Sequence, residues 1–333
     1  MPRDRPLALS VVAPCFNEVQ GVAEFHRRVR AVCEQAAPGA FEIVLVDDGS
    51  TDGTWERLDA LATEHDAVVA VRLSRNHGHQ LALTAGLSLC RGDRVLIIDA
   101  DLQDPPELLP EMLRAMDAGA DVVYGQREER VGETAFKRHS ARLFYRLLQR
   151  LTDVAIPVDA GDFRLISRRV ADLLVAMPEQ HRFIRGMVSW VGFRQVAVRY
   201  VRDARFAGET KYPLRRMLRF ALDAITSFSV RPLRLASYAG LSCALASLAL
   251  LLYTLIAWRA GRTVTGWTSI MAVVLLLSAV QLMVLGVMGE YLGRLFLESK
   301  RRPMFIIERV VVGESAERRR APVSSRVGEH ALR

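Results

Sequence analysis

The chain has 333 residues, of which 50% are hydrophobic and 25% are charged, and its formal net charge is +8 at pH 7. This length predicts one large domain with an appended segment, and the four cysteines have no paired spacing that would indicate a disulfide framework or a zinc site. Much of the positive excess adjoins two apolar stretches in the C-terminal third, which favours anionic membrane lipid as the partner over nucleic acid.

The first 208 residues alternate short apolar runs with amphipathic stretches. The apolar runs predict strands at residues 7–13, 41–46, 68–73, 94–98 and 121–124. Between them, helical patterns are found at residues 18–33, 53–63, 80–89 and 106–118. Strands rich in Val, Ile and Leu that alternate with helices predict an α/β fold, in which helices cover both faces of a mostly parallel sheet.

Polar residues follow four of these predicted strands, in clusters at residues 17–18, 47–48, 74–79 and 99–101. Helix capping explains any one such cluster. Four clusters at successive strand ends instead predict a ligand site, because open parallel sheets bind their ligands at the carboxyl ends of the strands.

The C-terminal third contains two stretches without charged residues, at residues 235–257 and 263–289. Each is long enough to cross about 30 Å of hydrocarbon, which takes about 20 residues. They predict a transmembrane hairpin over residues 234–293, with helices at about residues 235–257 and 266–289. Buried core helices are the alternative.

The regions on either side of this hairpin are more basic than the loop within it, which holds Arg259 and Arg262. The positive-inside rule therefore predicts that the domain at residues 1–208 and a basic tail at residues 294–333 are both cytosolic. Residues 209–233 carry apolar residues and Arg at helical spacing, which predicts juxtamembrane amphipathic helices. A helix that packs on the domain is the alternative for this segment.

The segment Asp99-Ala100-Asp101 closes an apolar strand, and Gln103 follows it. Two carboxylates at a buried strand end need a neutralising cation. Mg²⁺ suits this position because it takes one or two protein carboxylates and completes its shell with water and phosphate oxygens. A metal there would offset the charge that develops on a departing nucleoside diphosphate.

Other chemistries have no matching motif in the chain. P-loop, dinucleotide-binding and serine-hydrolase motifs are absent from the sequence. The pair His77 and His79 has no further Cys or His at ligand spacing, so we expect loop and helix-start roles for them rather than a metal site.

Five strings carry a more specific signal: VAPCFNE at 12–18, VDDGSTD at 46–52, SRNHG at 74–78, DADLQDPP at 99–106 and GDFR at 161–164. In this order they resemble the family 2 glycosyltransferases. They are most similar to the polyprenyl-phosphate branch, which includes bactoprenol glucosyltransferases and dolichol-phosphate mannose synthases. The resemblance extends through GEYLGR at 289–294 and covers roughly residues 7–310.

This resemblance implies a GT-A fold and inversion at the anomeric carbon. It implies that the nucleoside is held by Pro14, Glu18, Asp47 and Asp48. By the same resemblance Asp99, Asp101 and Gln103 serve Mg²⁺ or Mn²⁺ and the diphosphate, and Asp162 is the acidic residue beside the reacting centre. The implied phosphate contacts are Arg127, Arg205 and Lys211.

Acceptor chemistry limits what Asp162 has to do. A phosphate monoester has a second pKa of about 6, so such an acceptor is largely anionic at neutral pH without a general base. We expect Asp162 to orient the acceptor and nearby cations, with modest base assistance at most. A carboxylate that only supports Arg164 is the alternative.

Taken together, the sequence predicts transfer of a hexose from a nucleotide sugar, UDP-glucose by closest likeness, to undecaprenyl phosphate at the cytosolic face of the cell membrane. GDP-mannose and UDP-N-acetylated sugars stay open as donors, and a homo-oligomer is expected. A processive polysaccharide synthase is disfavoured because Gln180-His181-Arg182-Phe183 departs from the Q-x-x-R-W motif. A noncatalytic membrane scaffold and a soluble nucleotidyltransferase are the remaining alternatives.

Overall fold

The computed structural model describes residues 7–127, 160–201, 229, 231–260 and 266–313. These residues fall into two compact units. The first contains the described residues up to 201 together with residues 303–313, and the second contains residue 229 and the described residues from 231 to 302.

An eight-stranded sheet forms the centre of the first unit. Its strands are β1 (Leu9–Cys15), β2 (Phe41–Asp47), β3 (Val68–Leu73), β4 (Arg94–Ile97), β5 (Val122–Arg127), β6 (Ala160–Ser167), β7 (Gln195–Tyr200) and β8 (Ile307–Val312). Their order in the sheet is β7-β5-β6-β4-β1-β2-β3-β8. Strands β4, β1, β2 and β3 are mutually parallel, whereas β6 and β8 run antiparallel to their neighbours.

Helices cover both faces of this sheet, as predicted. In chain order they are α1 (Val22–Ala36), α2 (Thr54–Glu64), α3 (His79–Leu89), a 3₁₀ turn (Pro106–Leu108), α4 (Leu109–Asp117), α5 (Arg168–Ala176) and α6 (Ile184–Val191). Successive strand residues point to opposite faces. Val11 and Ala13 of β1 therefore join the core formed with Phe25 of α1 and Leu58 of α2, while Val12 faces α3.

The last strand is the main difference from the sequence prediction, which assigned residues 294–333 to a tail. Strand β8 instead pairs with β3, with Val310 opposite Val71 and Val311 opposite Ala70. Three consecutive valines make β8 a favourable partner for the edge of a sheet. Pairing satisfies the edge of β3, which would otherwise present unpaired N–H and C=O groups.

The second unit contains two long apolar helices, α7 (Arg231–Arg259) and α8 (Trp267–Ser299), which contact each other. Their segments Arg231–Tyr253 and Val273–Ser299 have mean hydropathies of 1.9 and 2.1 and are long enough to cross a membrane. Both helices exceed the predicted spans because charged residues continue them. In the last turns of α8, Arg294 pairs with Glu290 one turn earlier at 3.2 Å.

Two predicted segments fall largely outside the described residues. Of the predicted amphipathic helices, residues 209–228 and 230 are outside, and residues 231–233 begin α7. The part of the predicted basic tail beyond residue 313 is outside as well.

The close approach of α3 to the sheet depends on Gly86. A Cβ at this position would lie 2.3 Å from Cγ1 of Val12 and 3.1 Å from Cγ2 of Val46. We expect Gly86→Ala to destabilise the protein by about 1–3 kcal/mol, because the added methyl group overpacks a filled interface. Thermal unfolding of the full chain in detergent measures this effect.

Ser88→Ala is the matched control, since Ser88 is an exposed residue of the same helix. Its melting temperature should stay close to that of the wild type. Equal melting temperatures for Gly86→Ala and the wild type would contradict the packing described for α3.

Candidate functional site

The carboxyl ends of β1, β2 and β4 meet at one edge of the sheet, as the parallel pairing requires. Strand β6 contributes to the same edge although it runs the other way. Ile97 of β4 lies opposite Arg164 of β6 in this antiparallel pair. Two residues after Ile97 comes Asp99, and two residues before Arg164 comes Asp162, so the strand register brings the two carboxylates to the same place.

Hydrogen bonds join the loop after β1 to the loop after β2. The N–H of Asn17 donates to Oγ of Ser50 at 3.0 Å, and the side-chain oxygen of Asn17 accepts the N–H of Thr51 at 2.9 Å. The N–H of Glu18 donates to Oγ1 of Thr54 at 2.9 Å. Asn17 has a φ of 57°, a left-handed conformation that Asn adopts more readily than most residues. The two loops therefore form one connected rim.

Pro14 and Glu18, both predicted nucleoside contacts, lie at this rim. Pro14 is buried in β1 opposite Val46, and Glu18 is half-buried at the start of the following loop. The pairing to Val46 fixes Pro14 near the carboxyl end of β1.

Asp48 holds the loop that precedes α3. Its Oδ1 accepts the N–H of His77 at 2.7 Å, and its Oδ2 accepts the N–H of Gly78 at 2.9 Å. Gly78 has a φ of 96°, which suits glycine and would strain a residue with a side chain. Burial raises the pKa of Asp48 and outweighs these two hydrogen bonds, which act to lower it.

Asp47 is fully buried at the end of β2 and has a different environment. Its Oδ1 accepts the N–H of Ser50 at 3.1 Å, and its Oδ2 lies 3.9 Å from Nε of Arg72. Arg72 has two further partners. Its Nε lies 3.6 Å from Oε2 of Glu308, and its Cζ lies 5.5 Å from the centroid of the Trp55 ring. Strand β8 thus supplies a carboxylate to Arg72, the arginine that faces Asp47.

His79, the first residue of α3, bridges the carboxylates of Asp99 and Asp162. Its Nε2 donates to Oδ1 of Asp99 at 2.8 Å, and its Nδ1 lies 3.8 Å from Oδ2 of Asp162. Burial lowers the pKa of His79, but the hydrogen bond and charge of Asp99 outweigh burial and raise that pKa to about 9. The sequence prediction placed His79 correctly at a helix start and missed this bridge.

The carboxylate of Asp162 is clamped by Arg185. Nε of Arg185 donates to Oδ1 at 2.8 Å and Nη2 donates to Oδ2 at 3.2 Å. Gln80 adds a third donor, with its Nε2 at 3.3 Å from Oδ2. Burial alone would raise the pKa of Asp162, but the charge of Arg185 outweighs burial and holds that pKa below its usual range. The sequence prediction did not include Arg185.

The positive charge of Arg164 helps to lower the pKa of Asp162. Among the described residues, however, Arg164 makes its hydrogen bonds to main-chain oxygens and not to the Asp162 carboxylate. The guanidinium donates to the main-chain oxygens of Gly161, at 2.8 Å, and Asp162, at 3.4 Å. Support of Arg164 was the alternative reading of Asp162. The structure places Arg185, rather than Arg164, as the cation hydrogen-bonded to the carboxylate.

The predicted metal-binding residues alternate with buried ones along one short segment. Asp99, Asp101 and Gln103 are half-buried, whereas Ala100, Leu102 and Asp104 are buried. Oδ1 of Asp101 accepts the N–H of Gln103 at 3.1 Å, and Leu102 has a φ of 60°. The three predicted side chains are therefore each partly accessible to a ligand.

This donor set fits Mg²⁺ or Mn²⁺ that is shared with a phosphate ligand. In the described part of the chain, no three His, Cys, Asp or Glu side chains form a metal cage. Two carboxylates and an amide oxygen are hard donors, and Mg²⁺ characteristically uses one or two carboxylates together with substrate phosphates. The residues present are therefore sufficient for a substrate-bound ion.

Arg127 is the one predicted phosphate contact among the described residues. Its Nε donates to the Tyr200 hydroxyl at 3.2 Å, and its Nη2 lies 3.8 Å from Oδ1 of Asp104. The guanidinium also passes so close to Gly161 that a Cβ there would lie 2.7 Å from Nη2. Arg127 is thereby fixed next to the residue that precedes Asp162. Arg205 and Lys211 lie outside the described residues.

The arrangement combines two carboxylates that can hold a metal-bound diphosphate with three nearby cationic residues: His79, Arg127 and Arg185. Such a set can bind two phosphate-bearing groups side by side. Positioned cations and a metal stabilise negative charge on a departing diphosphate. Such an arrangement suits group transfer in which a diphosphate departs.

Comparisons with known proteins match both the sheet domain and the C-terminal helices. Residues 10–174 match the model for Glycosyl transferase family 2, and residues 231–295 match that for the GtrB C-terminal hairpin. The uncharacterized glycosyltransferase YkcC of Bacillus subtilis is 45% identical over 306 residues, which are 92% of this chain and 94% of YkcC. The prophage bactoprenol glucosyl transferase homolog of Escherichia coli K12 is 39% identical over 91% of this chain and 99% of its own. The bactoprenol glucosyl transferase of Shigella phage SfV is 40% identical over 91% and 98%.

The two hydrogen bonds that the Asp48 carboxylate accepts should protect the loop before α3 from amide hydrogen exchange. We expect Asp48→Ala to increase amide hydrogen exchange in residues 74–78 by about 10-fold or more, since bonds to charged groups contribute about 1.5–3 kcal/mol. Exchange followed by mass spectrometry on the full chain measures this rate.

Glu64→Ala, which removes an exposed acid from α2, should leave exchange in residues 74–78 unchanged. Wild-type protection of this loop in Asp48→Ala would show that Asp48 does not hold it.

Proposed function

The chain belongs to the family 2 glycosyltransferases, and from this premise we propose that it transfers glucose from UDP-glucose to undecaprenyl phosphate. The observation that carries the proposal is the identity of about 40% to bactoprenol glucosyl transferases, which spans both the family 2 domain and the C-terminal hairpin. The family expected from the sequence motifs is confirmed, and so is the GT-A-type fold with two apolar C-terminal helices.

The donor is held at the rim formed by the loops after β1 and β2. Pro14, Glu18, Asp47 and Asp48 form the nucleoside side of this subsite. Asp48 acts in part through the loop at residues 74–78, whose main chain it holds. A ligand that enters here meets a rim already fixed by hydrogen bonds, which lowers the entropic cost of binding.

Asp99, Asp101 and Gln103 would hold Mg²⁺ or Mn²⁺ beside the diphosphate of the donor. When bound, the ion supplies positive charge to the departing nucleoside diphosphate. Asp99 also receives a hydrogen bond from His79, which fixes the orientation of its carboxylate.

In the transfer step, a phosphate oxygen of the acceptor forms a bond to the anomeric carbon as the bond from that carbon to the diphosphate breaks. The attack comes from the opposite face, so the anomeric configuration inverts. Asp162 lies beside this centre in an ionised state held by Arg185. Arg127 contacts phosphate near Gly161, and Arg205 and Lys211 are assigned the same role by resemblance.

The acceptor is a lipid, and the two helices suited to crossing a membrane provide the matching anchor. We place the protein in the cell membrane as a multi-pass protein with the sheet domain and the C-terminal segment in the cytosol. Arg and Lys residues that flank the hairpin contact anionic lipid. The protein is expected to act as a homo-oligomer.

A transfer assay on the purified full chain tests the reaction. With undecaprenyl phosphate and Mg²⁺ or Mn²⁺, labelled UDP-glucose should give a labelled lipid, whereas GDP-mannose and UDP-N-acetylglucosamine should give little. Asp101→Ala should reduce the rate by about 100-fold or more, because a metal at a departing diphosphate contributes several kcal/mol.

A chelator should abolish transfer, and added Mn²⁺ or Mg²⁺ should restore it. Glu64→Ala serves as the control and should retain the wild-type rate. If no donor yields a labelled lipid while UDP still binds, the acceptor assignment is wrong.

Cysteine labelling tests the orientation of the hairpin. In a Cys243→Ser background, we expect Arg262→Cys to react with a membrane-impermeant maleimide in intact cells. Glu64→Cys should react only after permeabilisation, since the positive-inside rule places the sheet domain in the cytosol. The reverse labelling pattern would overturn the proposed orientation.

A further inference from the structure

Arg185, like His79, is more accessible to solvent than the carboxylate of Asp162 beside it. The side chain of Asp162 is only 5% exposed, whereas the side chain of Arg185 is 30% exposed. A ligand that approaches this part of the site from solvent therefore meets the guanidinium before it meets the carboxylate.

This order of contact suits an anionic ligand. A phosphate monoester carries a charge of about −1.5 to −2 at neutral pH. A bare buried carboxylate would repel such a group, since like charges in a partly buried site interact strongly. The Arg185–Asp162 pair instead presents a cation to the ligand and keeps the carboxylate behind it.

The guanidinium is also held in a fixed orientation. Arg185 is the second residue of α6, and the preceding N–H, that of Ile184, donates to Oε1 of Gln80 at 2.8 Å. The same Gln80 donates to Asp162 from its Nε2. The start of α6, the start of α3 and β6 are thereby linked around one ion pair, so Arg185 is preorganised by three elements.

We propose that Arg185 binds the acceptor: its guanidinium stays paired with Asp162 and contacts the phosphate of the polyprenyl phosphate. Asp162 then acts as a positioning residue through Arg185, and its carboxylate takes no proton from the acceptor. A guanidinium carries five N–H donors in a planar fork that suits phosphate, and 30% of the Arg185 side chain is exposed to solvent. The inference rests on the proposed function, because it takes a lipid phosphate as the acceptor.

Arg185→Met and Arg185→Lys test this role in the purified full chain, with initial rates measured against undecaprenyl phosphate and, separately, against UDP-glucose. For Arg185→Met we expect the acceptor KM to rise by about 10-fold or more, since charge-assisted bonds to phosphate are the strong ones. The donor KM and the affinity for UDP should stay within about twofold of wild type. Arg185→Lys should recover part of the loss, because lysine keeps the charge but lacks the planar fork.

Hydrolysis of UDP-glucose without acceptor gives a second readout. It needs the donor and metal residues only, so Arg185→Met should retain it while transfer to lipid falls. Arg199→Met is the matched control, because it removes an exposed arginine from β7 outside the site. It should leave both KM values unchanged.

A variant with an unpaired buried carboxylate can lose stability, so the double variant Asp162→Asn with Arg185→Met removes both charges of the pair. It should melt close to wild type and still show the raised acceptor KM. If the double variant regains the wild-type acceptor KM, the role of Arg185 is structural and the inference is overturned.

Two failures are distinguishable in this design. If wild type transfers sugar to undecaprenyl phosphate and Arg185→Met has an unchanged acceptor KM, the Arg185 inference alone is wrong. If wild type forms no lipid product with any donor, the proposed function fails and the inference fails with it.

Discussion

The site depends on the cost of burying carboxylates at one edge of a sheet. Asp48 and Asp162 are buried there and Asp99 is half-buried, and an isolated ionised carboxylate in such a place is unfavourable. Each has a different compensation: two main-chain N–H groups for Asp48, the imidazole of His79 for Asp99, and the guanidinium of Arg185 for Asp162. The partners come from neighbouring elements, so the same bonds that offset the burial also fix the loops around the ligand.

Helix α3 positions several of these compensating groups. Its first two residues, His79 and Gln80, contact the carboxylates of Asp99 and Asp162, while Gly86 lets the helix lie close against Val12 and Val46. Asp48 holds the residues just before the helix. The position of α3 on the sheet therefore fixes groups that contact Asp48, Asp99 and Asp162.

The first five strands and the polar clusters after β1 to β4 were predictable from the sequence, because hydrophobic runs and strand-end clusters are local patterns, whereas β6 and β7 were not predicted. His79 was placed at a helix start, but its bridge to Asp99 joins residues 20 positions apart. Arg185 and β8 were missed for the same reason. The Arg185–Asp162 pair joins α6 to β6, and β8 pairs with a strand more than 230 residues earlier in the chain. Such contacts follow from sheet order and register, which no local pattern encodes.

An ionised, buried Asp162 is consistent with the chemistry of the acceptor. A hydroxyl acceptor would need a base with a pKa near the working pH, and a carboxylate held below its usual range by Arg185 is poorly suited to that task. A phosphate oxygen is already anionic at neutral pH and needs charge compensation rather than deprotonation. In the proposed mechanism, the ion pair between Asp162 and Arg185 would supply a positioned cation to that oxygen. The electrostatics of the site therefore favour a phosphate acceptor over a hydroxyl acceptor.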